Sequence, residues 1–501
     1  MTGVPLLVVT LPARGVRAAR EEIPRARDAG ADVVELRIDR WPPGEREHVS
    51  ELLPSPIPLM VTLRSRAEGG EGPDATADRQ PTLREAARLP NGWLDVEEDR
   101  DLALLSELPA GASPLLVLST HLPEGTSPDD LVARSHRPLP PNATRKIVLP
   151  ASVGRLVNEL LPALEDIGGG STVVLTTGAS GPLLRADAMR RGYPLVYAAL
   201  PPVPGLPAAA PVEPSQIPVD RLRWYFDGGH DRPLFALLGR PVGHSQSPYL
   251  HSRWMRRGQH HGLYVALEIA TETEFVEALE PLARMGLRGA NVTHPWKTAA
   301  LASATRVGNG AEVTGVANCL TLRDGEVEAE NTDLAAALRR LEELRSAGRW
   351  DGGELLVVGA GGSAAATLAA ARELGSRAAV LARSHEKAGA LARRLGARVL
   401  AAEETRPFPL VVQATDVGRA GASPLELPLE RAVGPRTLVL DWVYAADDDL
   451  VRRTTRERGG EYEDGWRLLV YQAAASYGVW WGVEPDPDEI SATIQEGPCA
   501  G

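Results

Sequence analysis

Val34-Glu35-Leu36-Arg37-Ile38-Asp39 alternates three apolar residues with three charged ones. Side chains of a β-strand repeat with period two, so Glu35, Arg37 and Asp39 are predicted to share one face. The surrounding pattern is that of a parallel sheet, whose strands are buried on both faces. Charges there are costly unless paired or used. The pattern returns at Thr62 and Arg64 in PLMVTLR, Asp95 and Glu97 in WLDVE, Ser119 and His121 in LLVLSTH, and Lys146 in RKIVLP. Five successive strands therefore aim polar groups at one interior, as in a barrel with a site inside it.

Around this stretch, eight apolar runs begin near Leu6, Val33, Leu59, Trp93, Leu115, Ile147, Val173 and Leu195. Helix-like segments lie between most of them, at Val16 to Ala29, Asp101 to Leu108, Asp129 to Ser135 and Val153 to Leu164. Eight strands alternating with helices is the count of a (β/α)8 TIM barrel. An open parallel sheet has the same period, and the interior charges favour the barrel. A proline-rich passage, Pro201-Pro202-Val203-Pro204-Gly205-Leu206-Pro207 with Pro211 and Pro214, reads as a loop closing over it. The boundary is placed near Asp227-Gly228-Gly229-His230.

The pattern then restarts, with strands predicted at 234–238, 263–268 and 288–292 and a helix from Asp333 to about Leu344. LLVVGAGGSAAATLAAARELG reads as strand, Gly-rich turn and helix, followed by strands at Ala379–Leu381, Leu410–Val412 and Leu438–Leu440. This is a second α/β unit of doubly wound, Rossmann type. A last helix near Leu468 to Trp481 is predicted to pack its aromatic residues onto the middle of the chain. The predicted domains are thus a barrel at 1–225, a substrate domain at 233–340 completed by a C-terminal helix at 465–490, and a dinucleotide domain at 345–464.

A chain of 501 residues, 43% hydrophobic and 24% charged, is long enough for two or three globular domains. A net charge of −12 without a basic run disfavours nucleic acid. Cys319 and Cys499 lie far apart, have no metal-type spacing, and fit a reduced cytoplasmic setting. MTGVPLLVVTL reads as a strand rather than a signal peptide, and no apolar run approaches the roughly 20 residues of a membrane span.

Lys146 is the central candidate of the first half. Burial disfavours a charged lysine, and a free amine attacks ketones and aldehydes to form a Schiff base. His121 is the candidate proton-transfer partner, with Glu68 or Asp95 to orient it. Arg37, Arg64 and Arg185 are candidate clamps for an anionic substrate. Taken singly, such a histidine is ordinarily a packed or surface residue and such a lysine solvated; the constellation carries the inference. Lys146 opens its apolar run, whereas barrel catalysts gather at C-terminal strand ends. The strand is therefore expected either to begin earlier, near Thr144, or to point Lys146 deep into the barrel.

GADVVELRIDRW, VTLRSRAEGG, STH and RKIVLP together resemble type I 3-dehydroquinate dehydratases over roughly residues 1–225. The resemblance implies that Lys146 forms an imine with the ketone of 3-dehydroquinate, that His121 moves the adjacent proton, and that Glu68 positions His121. It matches Glu35, Arg37 and Arg64 to substrate contacts, Arg185 to a carboxylate-binding arginine and Gln216 to a lid glutamine. Leu122, Leu184 and Val212 depart from the aspartate, serine and serine usual at those places.

In the second half, Gly359-Ala360-Gly361-Gly362-Ser363 follows a strand and opens a helix, which suits a pyrophosphate at a helix N-terminus. The next strand ends in Arg383, Ser384 and Lys387 rather than an acid, which favours NADP over NAD. Lys297 in GANVTHPWK and Asp333 in ENTD form a candidate proton-transfer pair. Singly, one is a solvated loop lysine and the other a helix cap. Ser245 and Ser247 in GHSQSP are candidate carboxylate ligands.

PVGHSQSPYLH, GANVTHPWK, ENTD, GAGGSA, ARS, DWVY and LLVYQAAASYGVWWG resemble shikimate dehydrogenases from about 233 to 490. The resemblance implies Lys297 and Asp333 as the catalytic pair. It places Ser245, Ser247, Thr293, Asn318, Asp333, Tyr444 and Gln472 at the substrate, and Thr415, Trp442 and Gly465 with the Gly-rich turn at NADP. Departures are Ala382 and Gln413 where asparagines are usual, Ala317 and Cys319 in the segment around Asn318, and Leu334 and Ala336 where glycines are usual. The expected activity is bifunctional: dehydration of 3-dehydroquinate, then NADPH-dependent reduction of 3-dehydroshikimate to shikimate, with no metal. The alternatives are a quinate or shikimate dehydrogenase with a weak barrel and a non-catalytic metabolite sensor.

Overall fold

The computed structural model describes residues 3–90, 92–107, 115–202, 211–229, 232–417, 428–444 and 450–489. Cys499, His230 and most of the proline-rich passage lie outside the described residues. The chain packs as two compact units, one within Met1–Phe235 and Met255–Gly286, the other within Ala236–Trp254 and Leu287–Cys499.

The first unit holds eight strands: β1 Leu6–Leu11, β2 Val33–Arg37, β3 Leu59–Thr62, β4 Trp93–Glu97, β5 Leu115–His121, β6 Ala143–Pro150, β7 Thr172–Thr177 and β8 Leu195–Ala199. They form one sheet in the order β7-β6-β5-β4-β3-β2-β1-β8, and every ladder is parallel. Among the described residues no ladder joins β7 to β8, the two ends of that order. Arg185, on the helix Gly181–Asp187, spans this seam, donating to the carbonyls of Thr176 on β7 and Tyr197 on β8.

Alternation along each strand sorts the two faces. On β6, Lys146 turns inward, while Arg145 turns outward to Glu98 and to the carbonyls of Ser135 and Pro138. On β2, Glu35 turns inward between buried Val34 and Leu36. One local expectation is borne out and two are corrected. Strand β6 begins at Ala143, in line with an early start near Thr144, so Lys146 is its fourth residue. Asp39 lies beyond β2, in a 3-10 turn at Ile38–Arg40, and reaches Arg37 from the loop. The predicted helix from Asp101 is instead a short α-turn, Glu98–Asp101, running into a 3-10 segment, Leu102–Glu107.

The second unit contains a mixed sheet and a parallel one. β9 Leu234–Gly239 is followed in the first of these sheets by β11 Leu287–Val292, β13 Cys319–Arg323, β14 Glu326–Glu330 and β12 Arg306–Val307; β10, Leu263–Glu268, falls within the first unit. β13 and β14 form a hairpin around Asp324 and Gly325, both at positive φ (54° and 83°), as a two-residue hairpin turn requires. The parallel sheet runs β17-β16-β15-β18-β19-β20, built from Arg398–Val399, Arg377–Leu381, Glu354–Val358, Leu410–Gln413, Leu438–Asp441 and Glu461–Glu463. β15 and its neighbours β16 and β18 place the crossover of this sheet beside the Gly-rich turn, the usual ligand crevice of a doubly wound fold.

The helix after that turn, Gly362–Glu373, buries Ala364–Ala366 and Ala369–Ala371, whose small side chains let it lie close to the sheet. The last helix, Trp466–Trp481, packs on the mixed sheet as expected: Trp480 Nε1 donates to the Leu320 carbonyl, and Ser476 Oγ meets Asn291 and Thr332. No helix among the described residues is long and apolar enough to cross a membrane.

Candidate active sites

The interior of the barrel is a charge cluster. Lys146 Nζ lies 2.8 Å from Asp95 Oδ2 and 3.9 Å from Glu35 Oε1, and sits over the Tyr197 ring, 4.1 Å from its centre. Glu35 accepts hydrogen bonds from Thr10 and Thr62, and Gln216 Nε2 donates to Thr10 at 3.0 Å. Ser119 Oγ donates to Asp95. Burial alone would raise Asp95, but Arg64 and Lys146 hold it well below the carboxylate range.

His121 ends β5, with Nδ1 3.0 Å from Glu68 Oε2. Burial lowers His121 well below its ordinary value, and the charges of Arg64 and Lys146 add to this. The imidazole is therefore neutral and able to accept a proton. Burial raises Glu68 to about 7 against the pull of Arg64, with Glu97 and Asp95 adding to the rise. Of the two carboxylates expected to orient His121, Glu68 does so and Asp95 holds the lysine instead.

The arginines divide. Arg64 is 2% exposed and donates to Glu68, Ser119 and Asp95, so it ties the cluster together rather than offering a free fork. Arg37 is gripped by both oxygens of Asp39 at 2.8 and 2.9 Å, which fixes the plane of its guanidinium. Arg185 is buried among the carbonyls of Thr176, Gly181 and Tyr197. Burial pulls it down to about 10, opposed by Glu213, and no carboxylate among the described residues lies within 4 Å of it. Such a guanidinium is short of an anion.

Sequence reasoning missed Thr10, Tyr197 and Ser215 as parts of this site. Thr10 is legible in LLVVTL as a lone polar residue in an apolar strand. Ser215 Oγ lies 3.4 Å from Arg185 Nη1, so the loop that carries Val212 still supplies a hydroxyl.

The second site is a cleft of about 1190 Å³ inside the second unit. Lys297, the first residue of the helix Lys297–Ala302, is bonded through Nζ to Asp333 Oδ2. The other Asp333 oxygen accepts from Asn318 Nδ2 at 2.8 Å, and Asn318 Oδ1 accepts the Thr332 N–H at 2.7 Å. Asn331, not Asp333, caps the helix Thr332–Ser346, which leaves Asp333 to the lysine. Ser245, Ser247, Thr293, Asn318, Tyr444 and Gln472 line the same cleft, with Ser245 Oγ donating to Ser247 Oγ at 3.2 Å.

Gly359, Ala360, Gly361, Gly362 and Ser363 form another wall. Gly359 has φ +123°, and a Cβ there would meet the Ala414 carbonyl at 2.6 Å, so only glycine permits the turn. No heavy atom beyond the chain neighbours lies within 4 Å of where a Cβ would stand on Gly361. That leaves an open approach to the N-terminus of the helix Gly362–Glu373, the kind of cradle a pyrophosphate needs. Arg383, Ser384 and Lys387 line the cleft at the end of β16, and Thr415 and Trp442 line it from β18 and β19. The residues present therefore fit a 2′-phosphorylated dinucleotide. Gln413, in place of the usual asparagine, accepts the Thr415 N–H at 2.6 Å and so still shapes that turn. Gly465 packs on the cleft-lining Trp442, where a Cβ would stand 2.4 Å from the Trp442 carbonyl. Arg393 and Arg394 line the cleft and were not expected.

Comparison with known proteins agrees with this geometry. The model of the type I 3-dehydroquinase family matches residues 7–227, and that of the shikimate dehydrogenase substrate binding domain matches 237–320. The NADP(+) shikimate dehydrogenase of Acidiphilium cryptum is 38% identical over 269 residues, covering 52% of this chain and 94% of that protein. That of Paracoccus denitrificans is 36% identical over 265 residues, covering 51% and 93%. A solved shikimate 5-dehydrogenase from Thermus thermophilus, in complex with NADP(H) and shikimate, is 31% identical with a TM-score of 0.47, covering 52% of this chain and 98% of that one. With a lysine–aspartate pair and a glycine cradle in one half and a lysine-centred barrel in the other, the chain belongs to the shikimate dehydrogenase family and carries a type I 3-dehydroquinase domain ahead of it.

Proposed function

We propose that this chain catalyses two consecutive steps of the shikimate pathway: dehydration of 3-dehydroquinate at residues 1–225, then NADPH-dependent reduction of 3-dehydroshikimate to shikimate at residues 233–490. The carrying observation is that each half brings a largely buried lysine into an ion pair with a buried carboxylate.

In the barrel, Lys146 attacks the substrate ketone, and loss of water gives a protonated imine. Neutral His121, oriented by Glu68, removes the proton next to the imine carbon. It then returns that proton to the departing hydroxyl, which leaves as water. Hydrolysis of the imine frees Lys146 and 3-dehydroshikimate. Arg37, Arg185 and Gln216 hold the substrate, whose carboxylate answers the missing counter-charge of Arg185. Arg64 and Glu35 keep the charge network in register.

In the second half, Ser245, Ser247, Thr293, Asn318, Tyr444 and Gln472 bind the cyclic hydroxy acid. NADPH, when bound, supplies a hydride. Gly359–Ser363 receive its pyrophosphate; Arg383, Ser384 and Lys387 receive its 2′-phosphate; Thr415 and Trp442 border it. Lys297, with Asp333, delivers a proton to the substrate oxygen. We assign the protein to the cytoplasm, with small-molecule substrates and neither nucleic acid nor membrane as partner; the free, buried Cys319 suits a reducing compartment.

The test is direct. The protein is incubated with 3-dehydroquinate and then borohydride, and mass spectrometry is expected to find the adduct on Lys146. Without borohydride, the conjugated product absorbs in the ultraviolet, and added NADPH is consumed. No adduct and no absorbance would remove the dehydratase reading. Faster turnover of quinate than of shikimate would favour the catabolic alternative.

A further inference from the structure

The group closest to Lys146 that the proposed chemistry leaves unused is an aromatic ring. Tyr197 sits mid-way along β8 and is 3% exposed. Its ring centre lies 4.1 Å from Lys146 Nζ, and its hydroxyl points away from the lysine, to Met60 Sδ at 3.4 Å. The ring face, not the oxygen, meets the reacting nitrogen. Burial keeps the phenol protonated, so the face carries no full charge.

We propose that the face of Tyr197 is a further catalytic element of the barrel, holding the Lys146 imine in its protonated form by a cation–π contact. This rests on the proposed dehydratase reading. Overall, the lysine ammonium and the ketone give an iminium and one water, so the positive charge that entered on nitrogen stays on nitrogen. An iminium lacks the three hydrogen-bonding protons of an ammonium and can satisfy Asp95 with only one. A ring face attracts the cation without needing a proton to donate. The other charged groups around this nitrogen are Asp95 on β4, Glu35 on β2, Arg64 after β3 and Arg37 at the end of β2; His121 on β5 is neutral. The carboxylates favour the cation and the arginines oppose it. The ring adds attraction without adding a further charge that could bind a proton.

A protonated imine is the form that borohydride reduces and the form that acidifies its neighbouring C–H. The test therefore reads the trapped Lys146 adduct against pH in the full-length protein with 3-dehydroquinate. Tyr197→Leu is expected to move the alkaline fall in trapped adduct down by about one pH unit, while trapping at lower pH persists and shows that the barrel is intact. Tyr197→Phe, which keeps the ring, is expected to restore the wild-type fall. If the leucine protein does not fold, pentafluorophenylalanine at position 197 keeps the shape, reverses the ring's polarity and is expected to give the same downward shift. Superimposable profiles for the wild type and either ring-altered protein would overturn the proposal, as would a phenylalanine variant that shifts like leucine. Absence of adduct in the wild type at every pH would instead remove the dehydratase reading itself.

Discussion

One oxygen of Glu68 accepts two hydrogen bonds from His121, from ring Nδ1 at 3.0 Å and from the backbone N–H at 3.2 Å. A carboxylate acceptor puts the ring hydrogen on Nδ1 and leaves the Nε2 lone pair free to act as base. Burial raises Glu68 to about 7, so the pair takes up a proton as pH falls through that value and the imidazole loses its acceptor. The barrel reaction is expected to lose kcat/KM about tenfold per pH unit below this point. Glu68→Gln should abolish that limb and lower the plateau. An unchanged limb in the variant would assign it to another group.

The same shift couples stability to pH. Folded Glu68 keeps its proton up to about 7, while an unperturbed carboxyl loses it near 4.5. The folded state thus binds more protons between these values. The stability that this proton contributes is complete below pH 4.5 and is lost as pH rises through about 7. Melting temperatures of Glu68→Gln against wild type are expected to show a flatter curve across this window; parallel curves would contradict the assignment.

Asp95 is the anion on which the barrel interior depends, since Arg64 and Lys146 both bind it from buried positions. Asp95→Ala leaves two cations without their main partner. Removing one member of a buried ion pair costs about 3–5 kcal/mol. Denaturant unfolding of the variant should show a loss of this order, whereas a loss below about 1 kcal/mol, the range of exposed pairs, would mean that water replaces the carboxylate.

Arg383 lines the cleft at the end of β16, where an acidic residue would select NAD. A charge-assisted hydrogen bond contributes about 1.5–3 kcal/mol, so Arg383→Ala is expected to raise KM for NADPH by about tenfold to a hundredfold. KM for NADH should barely move. Equal losses for both cofactors would show that Arg383 acts on the fold of the turn rather than on the 2′-phosphate.

Much of this was legible because polar residues in buried strands have few uses. Glu35, Asp95, Ser119 and Lys146 stood out against apolar neighbours, and all four meet in the barrel. The early start of β6 was legible only as one of two options, because Arg145 breaks the apolar run; its partners, Glu98 and the Ser135 and Pro138 carbonyls, come from elsewhere in the chain. The hairpin of β13 and β14 was missed because EVEAE carries exposed charges and no apolar run, although Asp324-Gly325 marks its turn. The packing of Gly465 was not legible in its motif. Its tight packing on Trp442 is tertiary information. Tyr197 was missed because an aromatic residue in a strand has an ordinary reading as core.

Gly362 separates two roles that the Gly-rich motif alone does not distinguish. It begins the helix that faces the dinucleotide, yet a Cβ on it would meet Lys297 Cδ at 2.7 Å. The stem of the proposed proton donor thus lies against the cofactor turn, and a methyl group there must displace that stem. Gly362 has no positive φ, so alanine is not strained in the backbone itself. Gly362→Ala is therefore expected to lower kcat of the dehydrogenase by about tenfold or more, since misplacing a reacting group by about 1 Å can cost on the order of a hundredfold. NADPH affinity, read by fluorescence titration, should change far less. Lys297→Ala provides the comparison, with an expected loss of about 10²–10⁴ in turnover and little loss of NADPH binding. In the double variant Gly362→Ala with Lys297→Ala, the glycine change should cost almost nothing further, because the side chain that it displaces is gone. Additive losses would mean that Gly362 serves the cofactor alone.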